Sequence, residues 1–242
     1  MKTLALFEPT HLIAVFDHEQ GSFRGKVDED YKSNRPAALA ARAIDGDPFS
    51  QLEFIYRALG HIGWKYCETP EFEADDIIAA YVREYESETE IIILSTDADL
   101  LQLVKPRVSV FYPNGKNPVL YGPSEVEAKF GVMPQLLPDL KALIGDKSDN
   151  LIGVPGIGPK RASELIRRLG GVPEILAGLE AIQSNTIITN LSANRHQILH
   201  NLLMIRLNRP APLPFSLPEL AISPASWQRK TMQLLREAGI AD

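Results

Sequence analysis

The chain has 242 residues, 45% hydrophobic and 23% charged, which is typical of a globular protein with a sizeable core. No apolar run approaches the length of a membrane span, and the single cysteine, Cys67, excludes an internal disulfide, so we expect a cytoplasmic protein without a membrane partner. The formal net charge of −6 alone disfavours a nucleic-acid partner, but acids dominate residues 68–99 and bases dominate residues 153–168.

The first half of the chain predicts an α/β core. Its apolar runs are short, as buried strands are, and stretches of helical periodicity separate them. We predict strands at 11–17, 90–95 and 107–112, helices at 47–63 and 73–86, and a helical turn at 99–104. The polar stretch 18–48 predicts a long loop with a helical piece at 37–44. Because strands and helices alternate, we expect a parallel sheet with flanking helices over residues 1–120.

The second half predicts a helical module. Apolar periodicity indicates helices at 123–130, 134–144, 159–169, 173–183, 193–204 and 224–238. We expect residues 121–208 to form this module around a helix-hairpin-helix at 143–169. The Pro- and Leu-rich stretch that follows begins a C-terminal segment, 209–242, whose last helix packs back on the core.

Carboxylates lie at the ends of several predicted elements. They are Asp17, Glu73, Asp75, Asp76, Asp97, Asp99, Asp146 and Asp149. In an open parallel sheet, the crevice beyond the carboxyl ends of the strands is the usual functional site. Carboxylates gathered there would repel one another, and hard cations would relieve the repulsion. Oxygen-only ligands suit Mg²⁺ or Mn²⁺, and two such ions are a standard device for phosphodiester hydrolysis.

Each acidic group also has a simpler explanation. The acids at 73–76 open a helix, where negative charge favours the helix dipole. Asp97 and Asp99 form a spacing that is common in loops, and Asp146 with Asp149 can be a polar turn. A metal site is the stronger interpretation only because all of these groups lie at element ends of one chain.

A glycine turn precedes the helix predicted at 159–169. Gly156 and Gly158 permit a tight turn, and Pro159 is a favoured first helical residue. Exposed N–H groups at such a helix start bind anions, and Lys160 and Arg161 add positive charge. This pattern predicts a helix-hairpin-helix that holds a sugar-phosphate backbone without reading bases, although an ordinary helix connection would look similar. The stretch is not a P-loop, because Pro159 follows Gly158 where a lysine is required.

Residues 31–36, YKSNRP, contribute a second basic element. Lys32 and Arg35 taken alone indicate only a polar loop. Beside a metal site, these cations could hold the phosphate that reacts.

Together these motifs resemble the 5′-nuclease superfamily, which contains flap endonucleases, the 5′→3′ exonuclease domain of bacterial DNA polymerase I and the stand-alone relatives of that domain. The resemblance is to the stand-alone type. The matching stretches are AVFD (14–17), FR (23–24), YKSNRP (31–36), EADD (73–76), STDADLLQLV (95–104), LIGDKSDN (143–150) and GVPGIGPKRA (153–162). The resemblance implies a PIN-like nuclease core, whose loop 18–48 forms an arch, and a helix-hairpin-helix (H3TH) module. It also implies a monomer that hydrolyses DNA at a 5′ end, flap or branch.

The resemblance assigns roles to particular residues. Asp17, Glu73, Asp75 and Asp76 would belong to a first metal site, and Asp97, Asp99, Asp146 and Asp149 to a second. Lys32 and Arg35 would contact the scissile phosphate from the base of the arch. The turn containing Gly156, Gly158, Lys160 and Arg161 would hold duplex DNA, with backbone carbonyls that can carry K⁺.

One departure from the family pattern affects the expected activity. Relatives usually open with a strand that ends in Asp-Gly-Asn, whereas this chain begins MKTLALFEPTHL, so we expect one first-site ligand fewer and an exposed sheet edge. A DNA-binding relative with impaired catalysis is therefore the alternative to a nuclease. A small-molecule phosphohydrolase would explain the acids but not the basic turn. His196 and His200 lack the glutamate of a HExxH zinc motif, so no zinc site is expected there.

Overall fold

The computed structural model describes residues 6–18, 21–33, 51–114 and 117–237, and the helical piece predicted at 37–44 lies outside them. The strands are β1 (Ile13–Phe16), β2 (Lys65–Glu68), β3 (Ile91–Leu94), β4 (Val108–Tyr112), β5 (Val119–Tyr121), β6 (Gly145–Asp146) and β7 (Leu151–Ile152). The helices are α1 (Phe23–Val27), α2 (Leu52–Ile62), α3 (Ala74–Tyr85), α4 (Pro123–Phe130), α5 (Leu137–Ile144), α6 (Pro159–Leu169), α7 (Val172–Ala177), α8 (Asn185–Ala193), α9 (Arg195–Ile205) and α10 (Pro224–Glu237). In the described ranges, no helix is both long and apolar enough to cross a bilayer.

Two parallel strand pairs confirm the predicted α/β class. β1 pairs with β2 in parallel, with Ile13 opposite Lys65. β3 pairs with β4 in parallel, with Ile91 opposite Val108, and β5 adds an antiparallel edge. The sequence did not predict β2 or β5, because β2 (KYCE) has a charged residue at each end and β5 has only three residues, so neither forms an apolar run of strand length.

The sheet is open between β1 and β3. Along the part of the chain that the structure describes, β1 pairs only with β2, and β3 pairs with β4 but not with β1. Helix α3 spans the opening: Ile77 and Tyr81 pack with the β1–β2 side, and Ala79 and Val82 pack with the β3–β4 side. Only one residue of β3, Ile93, is buried, as expected for an incomplete sheet.

One core joins the second sheet to the helical module. The 3₁₀ turn Asp99–Leu103 buries Leu100 and Leu101 completely between β4 and helix α5. Helix α5 lies at the centre of the module and packs against α6 and α9. The acids that follow β3 and those that follow α5 are therefore held on one packed unit.

The predicted helical module is confirmed, with changes in its helix boundaries. Helix α7 ends at Ala177 and a separate 3₁₀ turn covers Leu179–Ala181, because Gly178 interrupts the predicted helix 173–183. Helix α8 was not predicted. The C-terminal segment contacts the core at Tyr81, whose hydroxyl donates to the carbonyl of Phe215 at 2.9 Å. Helix α10 packs against α2.

A tight hairpin, β6–β7, connects α5 to the glycine turn. Its two strands are so close that a Cβ atom on Gly153 would lie 2.1 Å from the carbonyl oxygen of Ile144. Gly145 has a φ of +80°, and a Cβ there would lie 2.4 Å from the backbone nitrogen of Gly153. Both positions therefore require glycine, for steric reasons that the sequence does not reveal.

We predict that Gly153→Ala lowers the free energy of unfolding by roughly 1–3 kcal/mol or more, because rigid backbone atoms must move to admit the methyl group. Urea denaturation followed by circular dichroism measures the change. Gly158→Ala is the matched control: nothing lies within 4 Å of its Cβ position, so its stability should stay within about 0.5 kcal/mol of wild type. Equal destabilisation by both substitutions would contradict the hairpin geometry.

Candidate active site and nucleic-acid interface

The N-terminus of α3 organises the first group of acids. Glu73 is the N-cap residue and forms a capping box with Asp76. From the end of β1, the Oδ1 atom of Asp17 accepts a hydrogen bond from the backbone N–H of Ala74 at 2.7 Å. The capping explanation of this motif is thus correct for part of it. Besides the cap, Glu73 and Asp75 line a crevice beyond the strand ends.

Asp76 does not line this crevice with the other acids, and the predicted ligand set is corrected at this position. Arg24, from α1, donates to both of its carboxylate oxygens, at 2.7 and 2.9 Å. The side chain of Asp76 is 0% exposed, and the remaining Arg24 donors reach Glu73 at 3.2 Å and the carbonyl of Met204 at 2.7 Å. Asp76 therefore anchors a buried arginine that joins α1, α3 and α9.

The acids that follow β3 are held in a short turn. The backbone N–H of Asp97 donates to Ser95 Oγ at 3.0 Å, and the N–H of Asp99 donates to Asp97 Oδ1 at 2.8 Å. Asp97 is exposed, whereas Asp99 is half-buried. These bonds orient both side chains at the carboxyl end of the strand, where the sequence pattern predicted them.

A third group of acids joins Asp99 from the helical module. One oxygen each of Asp99, Asp146 and Asp149 can be chosen so that all lie within 4.8 Å of one another. Asp146 accepts from the backbone N–H of Ser148 at 2.8 Å, and Asp149 is buried. Residues from two distant stretches of the chain thus form one compact carboxylate group.

Mutual repulsion among these acids is evident at Asp75. Burial, followed by the charges of Asp97, Asp99, Asp17 and Glu73, raises the pKa of Asp75 to about 8. Burial also raises the pKa of Asp99, although Lys141 opposes the effect. The donor set is made of carboxylate oxygens only, and it concentrates negative charge that divalent cations would neutralise. These residues therefore fit hard ions such as Mg²⁺ or Mn²⁺.

Lys32 and Tyr31 place polar groups in the same crevice. Lys32 Nζ lies 2.9 Å from Glu73 Oε1, and its backbone N–H donates to the carbonyl of Asp149 at 3.1 Å. Lys32 has a φ of +57°, an uncommon conformation for a lysine, so this contact holds the backbone in an unfavourable region. Tyr31 extends its hydroxyl to within 3.3 Å of Asp149 Oδ2. Arg35, the other predicted phosphate contact, lies outside the described residues.

Sequence reasoning missed Lys141. Its ammonium donates to Asp146 Oδ2 at 2.7 Å and also to Asp99 Oδ1. Burial alone would lower the pKa of Lys141, but the charges and hydrogen bonds of the two aspartates outweigh burial and raise it. A lysine in an ordinary helix carries no signal of this kind, since the pairing with Asp99 spans 42 residues.

The predicted DNA-binding turn lies where α6 begins. Val154 and Ile157 are buried and fix the turn to the core, which leaves Gly156 and Gly158 at the surface. Gly158, Lys160 and Arg161 line an open surface crevice at the start of α6. Two carbonyls of the turn already accept hydrogen bonds: Pro155 from Asn190 at 2.9 Å, and Gly156 from Arg161. The K⁺ site predicted at these carbonyls stays a prediction.

The fold and site define a class of protein: an α/β core with a carboxylate crevice at the strand ends, fused to a helical module with an exposed basic turn. Residues 1–131 match the family "5'-3' exonuclease, N-terminal resolvase-like domain", and residues 132–228 match "5'-3' exonuclease, C-terminal SAM fold". The chain belongs to this 5′-3′ exonuclease family, which confirms the resemblance seen in its sequence motifs.

Individual relatives agree with the family assignment. DNA polymerase I of Bacillus caldotenax is 34% identical over 241 residues, which cover 98% of this chain and 27% of the polymerase. The 5'-3' exonuclease of Aquifex aeolicus is 38% identical over 177 residues, covering 72% of this chain and 58% of that protein. The chain therefore spans less than two thirds of either relative. The crystal structure of the T5 D15 protein with metal ions shares the fold, with a TM-score of 0.74, 24% identity and coverage of 98% of this chain and 88% of that one.

We predict that Arg24→Met lowers the free energy of unfolding by about 3–5 kcal/mol, because it leaves the buried charge of Asp76 uncompensated. Denaturant titration measures the loss. Lys26→Met, which removes an exposed pair with Glu71 from the same helix, should have little effect. The double variant R24M/D76N should recover part of the stability, and an absence of recovery would show that Arg24 acts through packing alone.

The raised pKa of Asp75 predicts that the stability of the protein in EDTA depends on pH. The pKa of Asp75 is about 8 in the folded protein and about 3.9 in the unfolded chain, so the native state binds the Asp75 proton more tightly. The stability that this proton contributes is therefore lost as pH rises between these values. Asp75→Asn should therefore become more stable relative to wild type as pH rises from about 5 to 8, measured by thermal unfolding. The matched control, Glu127→Gln, removes an exposed carboxylate on α4 and should show no such trend.

Proposed function

We propose that this chain is a metal-dependent nuclease that hydrolyses phosphodiester bonds of DNA near a 5′ end, as a 5′→3′ exonuclease or a 5′ flap endonuclease. The observation that carries the proposal is the convergence of Lys32, Glu73, Asp75, Asp97, Asp99 and Asp149 on one crevice. These side chains come from four separate stretches of sequence. Capping and loop geometry account for single members but not for their convergence.

The acids divide into two proposed metal-holding groups. Asp17, Glu73 and Asp75 would form the first, and Asp97, Asp99, Asp146 and Asp149 the second. Mg²⁺ or Mn²⁺ bound there would supply a water of lowered pKa for attack and would stabilise the leaving oxygen. The protein's own contribution is to hold the carboxylates on strand and helix ends, so that little reorganisation is needed when the substrate binds.

Lys32 would bind the reacting phosphate. Its ammonium now contacts Glu73 and is about a quarter exposed, so it can reach a phosphate oxygen at the mouth of the crevice. The hydrogen bond from its backbone to Asp149 places it beside the second carboxylate group. Arg35 would add a second positive charge. Both cations would stabilise negative charge that increases on the phosphate during the reaction.

The basic turn would hold the duplex that carries the 5′ end. Its N–H groups and the exposed Lys160 and Arg161 suit backbone phosphates, and the turn follows Asp146 and Asp149 directly through the β6–β7 hairpin. Binding there would be independent of base sequence and strongly dependent on salt. A T5 D15 flap endonuclease has been crystallised with DNA and metal ions, and the Aquifex relative is a 5'-3' exonuclease, which support this substrate class. A monomer in the cytoplasm remains our expectation.

One observation favours a second candidate, a DNA-binding relative with impaired catalysis. Among the described residues, no strand pairing joins β1 to β3 beside the first metal group, and Asp17 at the end of β1 is exposed. A first metal ion would then be held by fewer rigid ligands. In this case the chain would bind branched or duplex DNA through the turn without cleaving it.

Cleavage of a 5′-labelled flap duplex tests the proposal. Wild type should cleave in Mg²⁺. Asp97→Asn should lose roughly 100-fold or more in rate, because loss of a metal ligand should cost at least as much as loss of a group that only supports a ligand, which typically costs about 10- to 100-fold. The variant K160M/R161M should instead bind DNA more weakly, with a slope of log affinity against log salt shallower by about 2. No cleavage by pure wild type in Mg²⁺ or Mn²⁺, with salt-dependent binding retained, would overturn the nuclease in favour of the second candidate.

A further inference from the structure

The ammonium of Lys141 forms ion pairs with two members of the carboxylate group. Its ammonium contacts Asp146 Oδ2 at 2.7 Å and Asp99 Oδ1, and its side chain is only 17% exposed. Asp99 and Asp146 are two of the three aspartates whose oxygens lie within 4.8 Å of one another. A divalent ion bound to this group would be held by the same carboxylates.

The position of Lys141 is fixed by a rigid element. Its neighbours Leu140 and Ala142 are buried, so the backbone of α5 is anchored in the main core on either side of the lysine. The side chain itself is a four-carbon stem with a compact, strongly hydrated charge. The stem can therefore move while the helix stays in place.

The charges define a competition. One ammonium bridges Asp99 and Asp146, which would otherwise repel each other and Asp149. A divalent ion carries twice the charge of the ammonium, and an ammonium paired with the same carboxylates would repel it. The two cations therefore compete for these carboxylates.

We propose that Lys141 is a resident counter-ion of the Asp99, Asp146 and Asp149 group, which a divalent ion must displace in order to bind. The proposal rests on the metal group assigned above. Lys141 keeps the carboxylates together in the metal-free state and, by competing for their oxygens, weakens and thereby sets the metal affinity of the group. It is a positioning residue, since it acts through the carboxylates.

Calorimetric titration with Mn²⁺, at low ionic strength and without DNA, tests the competition. Lys141→Met should bind Mn²⁺ about tenfold more tightly than wild type, because the competing charge is removed. In EDTA the variant should melt at a lower temperature than wild type, and saturating Mn²⁺ should raise its melting temperature by more. Lys105→Met is the matched control: it removes a lysine paired with Glu86, and its Mn²⁺ affinity should equal that of wild type.

The outcomes separate this inference from the proposed function. Unchanged or weaker Mn²⁺ binding by Lys141→Met, with normal binding by wild type, would overturn the counter-ion role and leave the nuclease proposal intact. An absence of Mn²⁺ binding by wild type would overturn both. If Lys141→Met does not fold in EDTA but folds in Mn²⁺, the counter-ion role is supported.

A measurement on the wild-type protein avoids the variant altogether. With ¹⁵N-labelled lysine, the ion-paired Lys141 ammonium should give a slowly exchanging NMR signal without metal, assigned by its absence in K141R. Titration with Mg²⁺ should remove that signal as the ammonium leaves the aspartates for solvent. A signal that persists unchanged at saturating Mg²⁺ would overturn the proposal.

Discussion

Repulsion between carboxylates is the constraint on which the rest of this structure depends. The strand ends and the start of α3 bring like charges into one crevice, where burial and then the neighbouring acids raise the pKa of Asp75. The fold opposes this repulsion with cations drawn from elsewhere in the chain: Arg24 on Asp76, Lys32 on Glu73, and Lys141 on Asp99 and Asp146. Most acids of the site are held by a hydrogen bond or an ion pair.

These cations differ in how firmly they are bound, and the difference follows from burial. Arg24 is fully buried, makes bidentate contact with Asp76 and joins three helices, so it belongs to the core. Lys32 and Lys141 are partly exposed, and each carries its ammonium on a flexible four-carbon stem, so they can exchange partners. The proposed binding of cations and a phosphate requires counter-ions of the second kind.

Particular residues show how much of the site and of the fold could be predicted from the sequence. Acids at element ends predicted the crevice because carboxyl ends of parallel strands lie at one sheet edge, and β1 and β3 place Asp17 and Asp97 accordingly. The same reasoning placed Asp76 with them, whereas in the structure Arg24 holds both of its carboxylate oxygens, since a helix N-terminus does not reveal which side chain turns inward. Helix α6 was predicted in full because its proline start and apolar stripe are local signals, whereas β2 (KYCE) begins and ends with a charged residue and shows no apolar run.

The sequence by itself determined the kinds of donor, their positions at strand and helix ends, and the basic turn after the last acids, because each depends on neighbours within a few residues. Tertiary structure alone decided which carboxylates lie close together, that Arg24 pairs with Asp76, and that Lys141 pairs with Asp99 and Asp146. These contacts join residues as far apart as Arg24 and Met204, and no local periodicity encodes such a distance. The opening between β1 and β3 was likewise decided by backbone pairing, which depends on strands that are distant in the chain.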